Sequence, residues 1–221
     1  MSAAAKKVAA RAEGKGPQPT SERTSSERSA SGPNLPPRAR IVTAASELFY
    51  RHGIRAVSVD AIAEAAGTNK MTLYRHFPSK DALVAEYLRA LAREANAHWD
   101  EIARECAGDP QREIGIWLNT VAECVTSDAE RGCALANAAV ELPEKDHPAR
   151  AVIEEFKTGH RERLAQLFRS AGLSEPEVLA DEIFLLIEGA RINIQSVGPD
   201  GPASRLVRMI EALIKDHKPA A

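Results

Sequence analysis

Apolar side chains recur at intervals of three and four residues from residue 37 onward, which is the spacing of one face of an α-helix. The first such stretch is RARIVTAASELFYRHG, whose apolar stripe consists of Ile41, Ala45, Leu48 and Phe49. Gly53 indicates the end of this helix, since glycine is the preferred C-terminal cap. The stretch SVDAIAEAAG then predicts a short second helix with Ser58 as its N-cap.

The stretch TNKMTLYRHF predicts a third short helix, separated from the second by a tight turn at Gly67 and ended by Pro78. Ser79 is expected to cap a long fourth helix, KDALVAEYLRALAREANAHWDEIAREC. Five helical stretches follow: QREIGIWLNTVAECVTSDAERG, CALANAAVEL, ARAVIEEFKTGHRERLAQLFRSAG, PEVLADEIFLLIEGARINIQSVG and PASRLVRMIEALIKDH. No stretch of useful length alternates as a strand would. The pattern predicts an all-α fold with an N-terminal three-helix unit and a larger helical domain.

Residues 1–36 form a separate segment, because their composition cannot support a packed core. Residues 1–37 contain six Ser, three Gly and five Pro, and almost no large apolar side chains. Burial of so little apolar surface cannot offset the loss of chain entropy on folding, and a disordered tail is therefore predicted. Its six Lys and Arg against three Glu make it weakly basic. The predicted three-helix domain then covers 37–84, with the motif at 58–77, and the larger helical domain covers 85–221.

Charge divides the chain near the same place. Residues 1–80 carry 13 Lys and Arg against 6 Asp and Glu, whereas residues 81–221 carry 16 against 25. The tail is not the whole cause, since residues 38–80 hold 7 basic against 3 acidic side chains. A basic first third on an acidic remainder indicates that the N-terminal part meets an anion, of which nucleic acid is the commonest large one.

Two short helices joined by a tight glycine turn have the shape of a helix-turn-helix, whose second helix enters the major groove of duplex DNA. That helix needs two chemically different faces. At about 100° per residue, Leu73 and Phe77 fall together and would hold the helix to its core. The opposite arc presents hydroxyls, a guanidinium, an imidazole and a thioether, namely those of Thr68, Met71, Thr72, Arg75 and His76.

Neighbouring side chains are candidates for contacts with the DNA backbone. Tyr74 lies at the edge of the arc, where its hydroxyl could reach a phosphate. Lys80 lies in the first turn of the fourth helix, where free backbone N–H groups also favour an anion. Arg40, near the start of the first helix, could add a backbone contact. The predicted DNA-binding set is completed by Ser58, Asn69 and Lys70.

The stretch SVDAIAEAAGTNKMTLYRHFPSKDAL resembles the signature of the TetR family of bacterial transcriptional regulators. The resemblance is close over 38–90, where the matching positions are Phe49, Gly53, the 58–67 helix, Leu73, Tyr74, Phe77, Ser79, Lys80 and Leu83. It implies a homodimer that binds a pseudo-palindromic operator, usually represses, and releases DNA when a small molecule enters the C-terminal domain. Met71 and Thr68 stand where the family usually has small residues, so they bear on the operator sequence.

The last two long helices have the pattern of a dimer interface. LADEIFLLIEGARINI carries apolar residues on more than one face, so one face can enter the core and another a partner subunit. A two-fold protein also matches two half-sites about 34 Å apart, whereas a single short helix gives little affinity. We predict a homodimer through helices at about 176–197 and 202–216. The alternative is that both helices are buried within one subunit.

Small-molecule pockets are mostly apolar with a few convergent polar groups. The helices expected to surround one supply Trp117, Val121, Cys124, Asn137, Phe156, His160, Phe184 and Glu188. Each of them can equally belong to an ordinary core, and His160 can equally lie on the surface. The expected effector is mostly apolar and either aromatic or lipidic.

The sequence contains no constellation for catalysis, and we expect no cofactor or metal. Glu144 and His147 form one Glu-x-x-His between two prolines, whereas a di-iron bundle needs two such pairs, so a solvated loop is expected. Three cysteines at no metal-binding spacing, and no apolar signal segment, favour a reducing cytoplasm. No apolar run reaches the length of a membrane span.

The pattern as a whole predicts a cytoplasmic, ligand-responsive regulator of transcription, most often a repressor in this architecture. A regulator that acts through a protein partner without a small ligand is the alternative. An all-α enzyme is least favoured, because no acid, base or metal group converges on one place.

Overall fold

A computed structural model describes residues 35–126 and 132–218, except for the side chains of 124–126. The predicted tail, residues 1–36, lies almost wholly outside the described residues. Regular structure in the described part consists of nine α-helices and one short 3₁₀ helix, with no strand. The predicted all-α fold is confirmed.

The chain divides into two compact units between Ser79 and Lys80. The first unit contains α1 (Pro37–His52), α2 (Val59–Ala65) and α3 (Lys70–His76). The second unit contains α4 (Lys80–Cys106), α5 (Pro110–Thr126), α6 (Ala134–Glu141), α7 (Pro148–Ser170), α8 (Pro176–Val197), the 3₁₀ helix (Pro202–Arg205) and α9 (Leu206–Asp216).

The core of the first unit takes one large, wholly buried side chain from each helix, namely Ile41, Ile62 and Leu73. Small residues at the contacts, such as Ala45 and Ala63, are also buried and let the helix backbones approach closely. Helix α1 ends at Gly53, whose N–H donates to the carbonyl of Phe49 at 3.0 Å. Helix α3 therefore packs on the rest of this small unit through one face only.

The core of the second unit is built by the long helices, with α7 packed against both α4 and α8. Its largest buried side chains include Trp99, Trp117 and Phe168. Helix α8 contributes wholly buried Leu179 and Ile183 on one face. Large apolar side chains on its other face are exposed. Helix α8 therefore carries apolar residues on more than one face, as the sequence predicts.

The Glu144–His147 segment corrects an expectation, because His147 is not a solvated side chain. It is the N-cap of α7, where its Nδ1 accepts from the N–H of Ala149 at 3.1 Å. Its side chain is 8% exposed, and its Nε2 lies 3.4 Å from Oδ1 of Asp81 in the first turn of α4. No local pattern in the sequence signals this contact between distant helices.

Across residues 35–126 and 132–218, no group of three or more His, Cys, Asp or Glu side chains is arranged to hold a metal ion. In the same part of the chain, no helix is both long enough and apolar enough to cross a membrane.

Candidate DNA-binding interface and effector site

The turn between α2 and α3 is closed by a Schellman arrangement around Gly67. Gly67 has a φ of +60°, and its N–H donates to the carbonyl of Glu64 at 2.9 Å. The N–H of Thr68 donates to the carbonyl of Ala63, also at 2.9 Å. These bonds satisfy the last carbonyls of α2, and the left-handed conformation favours glycine. The predicted tight turn is confirmed, and it sets the direction in which the chain enters α3.

Helix α3 begins at Lys70, two positions later than the apolar pattern indicated. Asn69 is its N-cap, with Oδ1 accepting from the N–H of Thr72 at 2.8 Å. Ser58 caps α2 similarly and accepts from the N–H of Ala61 at 3.1 Å. Thr68 therefore belongs to the turn and not to the helical arc. Asn69 and Ser58 thus use their acceptor oxygens within the motif, and their contacts with DNA stay a prediction.

The two faces of α3 differ as predicted. Leu73 is wholly buried and Phe77, just past the helix, is 3% exposed. On the other side, Met71 is 85% exposed, and Tyr74 and Arg75 are exposed as well. Thr72 and His76 are half-buried at the margins. The exposed arc therefore combines a thioether, a phenol and a guanidinium.

Two further cations of the first unit are Lys70, at the start of α3, and Arg40, which reaches the motif from α1. Lys70 pairs with Asp60 of α2, with Nζ 3.1 Å from Oδ2, and both side chains are largely exposed. Arg40 is half-buried, and its Nη1 lies 3.6 Å from the position that a Cβ on Gly67 would take. The Nε of Arg40 is buried without a hydrogen-bond partner in the protein. Arg40 therefore reaches the turn of the motif from α1.

Lys80 opens α4 and belongs to the second unit. Partial burial lowers the pKa of its ammonium group, and the nearby carboxylates of Asp81 and Glu141 oppose that shift. A phosphate contact at Lys80 would have to compete with these carboxylates, and it stays a prediction.

Comparison with known proteins decides the family. Residues 41–87 match the model of the tetR family of bacterial regulatory proteins. Residues 110–197 match the model of the C-terminal domain of LmrA/YxaF-like transcriptional regulators. The chain belongs to the TetR family of bacterial transcriptional regulators.

Individual relatives of this TetR-family chain are distant. It is 20% identical over 152 residues to the HTH-type transcriptional regulator YjdC of Escherichia coli K12, covering 69% of this chain and 80% of that one. It is 32% identical over 81 residues to the HTH-type transcriptional repressor KstR2 of Mycobacterium tuberculosis H37Rv, covering 37% and 40%. A solved structure, the TetR-family regulator SCO4454 of Streptomyces coelicolor, has a TM-score of 0.76 at 24% identity, covering 83% of this chain and 96% of that one.

The TetR assignment gives the coarse function. The chain is a transcriptional regulator with a helix-turn-helix DNA-binding domain, and it is not an enzyme. The exposed arc of α3 lies on the second helix of that motif, the one that enters the major groove.

In the second unit, three of the predicted effector residues join one ring cluster through Trp99. The Trp99 and Trp117 rings are stacked with centroids 6.4 Å apart. His160 meets Trp99 edge-to-face at 5.1 Å and lies 4.1 Å from the ring of Phe156. Val121 belongs to the same buried core as the two tryptophans. Trp99 is not among the residues predicted from the sequence, although an indole N–H needs a partner when buried.

Two further effector candidates, Phe184 and Glu188, lie on α8 beside charged groups. The Nζ of Lys157 lies 5.5 Å from the ring centre of Phe184, and the same ammonium group forms an ion pair with Glu188. Glu188 also accepts from Nη1 of Arg191 at 2.7 Å. Asn137 is half-buried on α6, which packs against α7. The side chain of Cys124 lies outside the described residues.

His160 is neutral at ordinary pH. Burial lowers the pKa of its imidazole to about 4, aided by the positive charges of Arg191, Arg163 and Lys157 and opposed by Glu188. Of these, Arg163 lies over the ring of Trp99 at 5.2 Å. His160 is therefore half-buried among aromatic and charged side chains, and of the two alternatives left open by the sequence, the ordinary surface position does not hold.

Proposed function

We propose that the protein represses transcription by binding a pseudo-palindromic operator as a homodimer, and that a small-molecule effector releases it. The observation that carries the DNA-binding part is the division of α3 into a buried anchor, Leu73, and an exposed arc that includes Met71 and Arg75. A helix anchored by one face can lay the other in the major groove, where an arginine can bind guanine in a bidentate manner.

The proposed residue roles follow from position and chemistry. Met71, Thr72, Arg75 and His76 would meet base edges, with the thioether against a thymine methyl. Thr68 would approach the edge of the groove from the turn. Contacts with phosphates are assigned to the remaining members of the predicted set, namely Arg40, Ser58, Asn69, Lys70, Tyr74 and Lys80.

The dimer is supported by an apolar groove between α8 and α9. The groove has a volume of about 710 Å³, and its lining includes Leu185, Leu186, Ala190, Leu206 and Met209. Leu185 is 71% exposed and Met209 44% exposed in the single chain, and an exposed apolar patch of this kind marks an interaction surface. A second copy would bury the same patch on both subunits and would place two reading helices on one DNA.

Repression and release rest on two further arguments. KstR2, whose sequence matches part of this chain, is named a transcriptional repressor. An effector can weaken operator binding only by its preference for the conformation that does not bind DNA. The Trp99 cluster in the second unit is the proposed place for that effector.

The test begins with genome-wide capture of DNA bound by the protein in the host bacterium. Captured sites are then placed before a reporter gene and examined in gel-shift titrations with purified protein. The proposal predicts sites with an inverted repeat, lower reporter expression when the protein is present, and loss of binding with a small molecule related to the neighbouring genes. Sites without an inverted repeat, or higher reporter expression, would overturn the corresponding part.

A further inference from the structure

We infer that the effector is a planar aromatic compound that presents an acceptor oxygen to Trp99 and His160. The inference rests on the proposed effector-dependent release and names the chemical class of the molecule. It is carried by two buried nitrogen atoms in one ring cluster and by the rings and charges around them.

The two nitrogens lack partners within the chain. Trp99 is 7% exposed, and its Nε1 is buried with no hydrogen-bond partner in the protein. The Nε2 of His160 is buried and equally without a partner in the protein. A buried polar group left unpaired costs about 1–3 kcal/mol, so two in direct ring contact call for an explanation.

A contact between the rings cannot satisfy both nitrogens. The Trp99 and His160 rings meet at an interplanar angle of 87°, so the edge of one points at the face of the other. An N–H group directed at a ring face is a weak hydrogen bond, and this geometry supplies at most one. At least one nitrogen is therefore still available to a ligand.

The Trp99 nitrogen requires an acceptor, and the His160 nitrogen suits one in the tautomer that carries the proton on Nε2. An indole Nε1–H only donates, and a neutral imidazole donates from whichever nitrogen carries its proton. The pKa of His160, lowered to about 4, keeps the ring neutral. The cations that lower this pKa, Arg191, Arg163 and Lys157, also favour an electron-rich oxygen and disfavour a cationic ligand.

The surrounding rings select a planar aromatic body. Phe156 and His160 are half-buried, so parts of their ring surfaces are accessible, whereas Trp117, which stacks on Trp99, is buried. Aromatic rings prefer offset-stacked or edge-to-face neighbours, which a planar ligand provides. A flexible aliphatic chain would gain burial but not this ring geometry.

Direct binding can be measured with the chain's own fluorescence, because its only two tryptophans, Trp99 and Trp117, both lie in this cluster. The probes are benzoate, 2-naphthoate and 9-anthroate, compared with naphthalene, which lacks the acceptor, and decanoate, which lacks the ring. At least one aromatic acid should quench the tryptophan fluorescence saturably and raise Tm, with the comparators at least ~10-fold weaker. Failure of all three acids, or tighter binding of decanoate, would overturn the inference.

A pair of variants tests the role of His160. His160→Phe keeps a ring and removes Nε2, whereas His98→Phe makes the same change at an exposed position on α4. His160→Phe should weaken binding of the aromatic acid at least ~10-fold without lowering Tm, whereas His98→Phe should bind the acid as the parent does. Equal binding by His160→Phe, or a lower Tm that shows Nε2 to be satisfied in the free protein, would contradict the inference.

The same experiment separates this inference from the proposed function. Operator binding is measured in parallel for the parent and both variants. If decanoate releases the operator and the aromatic acids do not, effector control stands and the aromatic class is wrong. If an aromatic acid binds the cluster but never changes operator binding, the ligand class stands and release by this site is wrong.

Discussion

Met71 and Leu73 lie two positions apart on α3, yet Met71 is 85% exposed and Leu73 is wholly buried. Two positions are about 200° apart around an α-helix, so one face of α3 anchors the helix and the opposite face is presented to the outside. Because stability depends on one residue and the outer surface on the other, folding and DNA recognition should respond to different substitutions.

Leu73→Ala should destabilise the protein by about 2–5 kcal/mol, since it removes buried methyl groups and leaves a cavity. Met71→Ala should change the free energy of unfolding by no more than about 0.5 kcal/mol, because the side chain contacts mostly water. Chemical denaturation checks both values, and DNA-binding assays should show a changed base preference for Met71→Ala. Equal destabilisation by the two variants would mean that α3 is not held by the Leu73 face.

Arg75→Ala should weaken operator binding by about 1–3 kcal/mol and relax the base preference at one position of each half-site. Lys145→Ala is the charge-matched control, because Lys145 is exposed in the loop before α7. Fluorescence-anisotropy titrations against the operator and against single-base variants make the comparison. If both variants bind all the duplexes alike, Arg75 does not read bases.

Lys80→Ala should weaken binding to every duplex by a similar factor and should reduce the salt slope by about 1, as expected for loss of one phosphate contact. Titrations at several salt concentrations measure the slope. An unchanged slope would show that Asp81 and Glu141 occupy Lys80 when DNA is bound.

Local chemistry made much of the fold predictable from the sequence. The glycine turn at Gly67 and the Ser58 cap each depend on residues within a few positions, and both are present. The apolar pattern predicts that α3 starts at Thr68, whereas the helix starts at Lys70 because Asn69 caps it by accepting from the N–H of Thr72. Side-chain capping competes with the helix at such positions.

Contacts between distant helices were less predictable. His147 pairs across to Asp81, and Trp99 meets His160, although nothing in either local pattern indicates these neighbours. Helical periodicity identifies which residues are inside but not which of them touch. The aromatic character of the candidate effector site was therefore visible in the sequence, whereas Trp99 and its unpaired nitrogen were not.

Leu185→Glu should convert a dimer to a monomer, because it places a charge in the apolar groove between α8 and α9. Val140→Glu is the control, since Val140 is 81% exposed on α6 and does not line the groove. Sedimentation equilibrium gives the mass of each variant. A monomeric parent, or a Leu185→Glu protein as dimeric as the parent, would place the interface elsewhere.

The stability of the second unit should fall in mild acid because of His160. Burial lowers the pKa of its imidazole from the ordinary 6.5 to about 4, so between these values the unfolded chain takes up a proton that the folded chain does not. The stability is full above pH 6.5 and declines as the pH falls toward 4, by about 2 kcal/mol at pH 5. Tm measured at pH 7.5 and 5 should drop less for His160→Phe than for the parent or His98→Phe. Equal drops in Tm for all three proteins would contradict the assignment of this acid sensitivity to His160.

The central claim is that α3 reads duplex DNA as one of a symmetric pair. Selection of bound sequences from a library of random duplexes tests it most directly, with the parent, Arg75→Ala and Lys145→Ala examined side by side. The parent and Lys145→Ala should enrich one inverted repeat whose half-sites are about one helical turn apart, and Arg75→Ala should lose the preference at one base pair of each half. No enriched sequence with the parent, or the same full motif with Arg75→Ala, would contradict the claim.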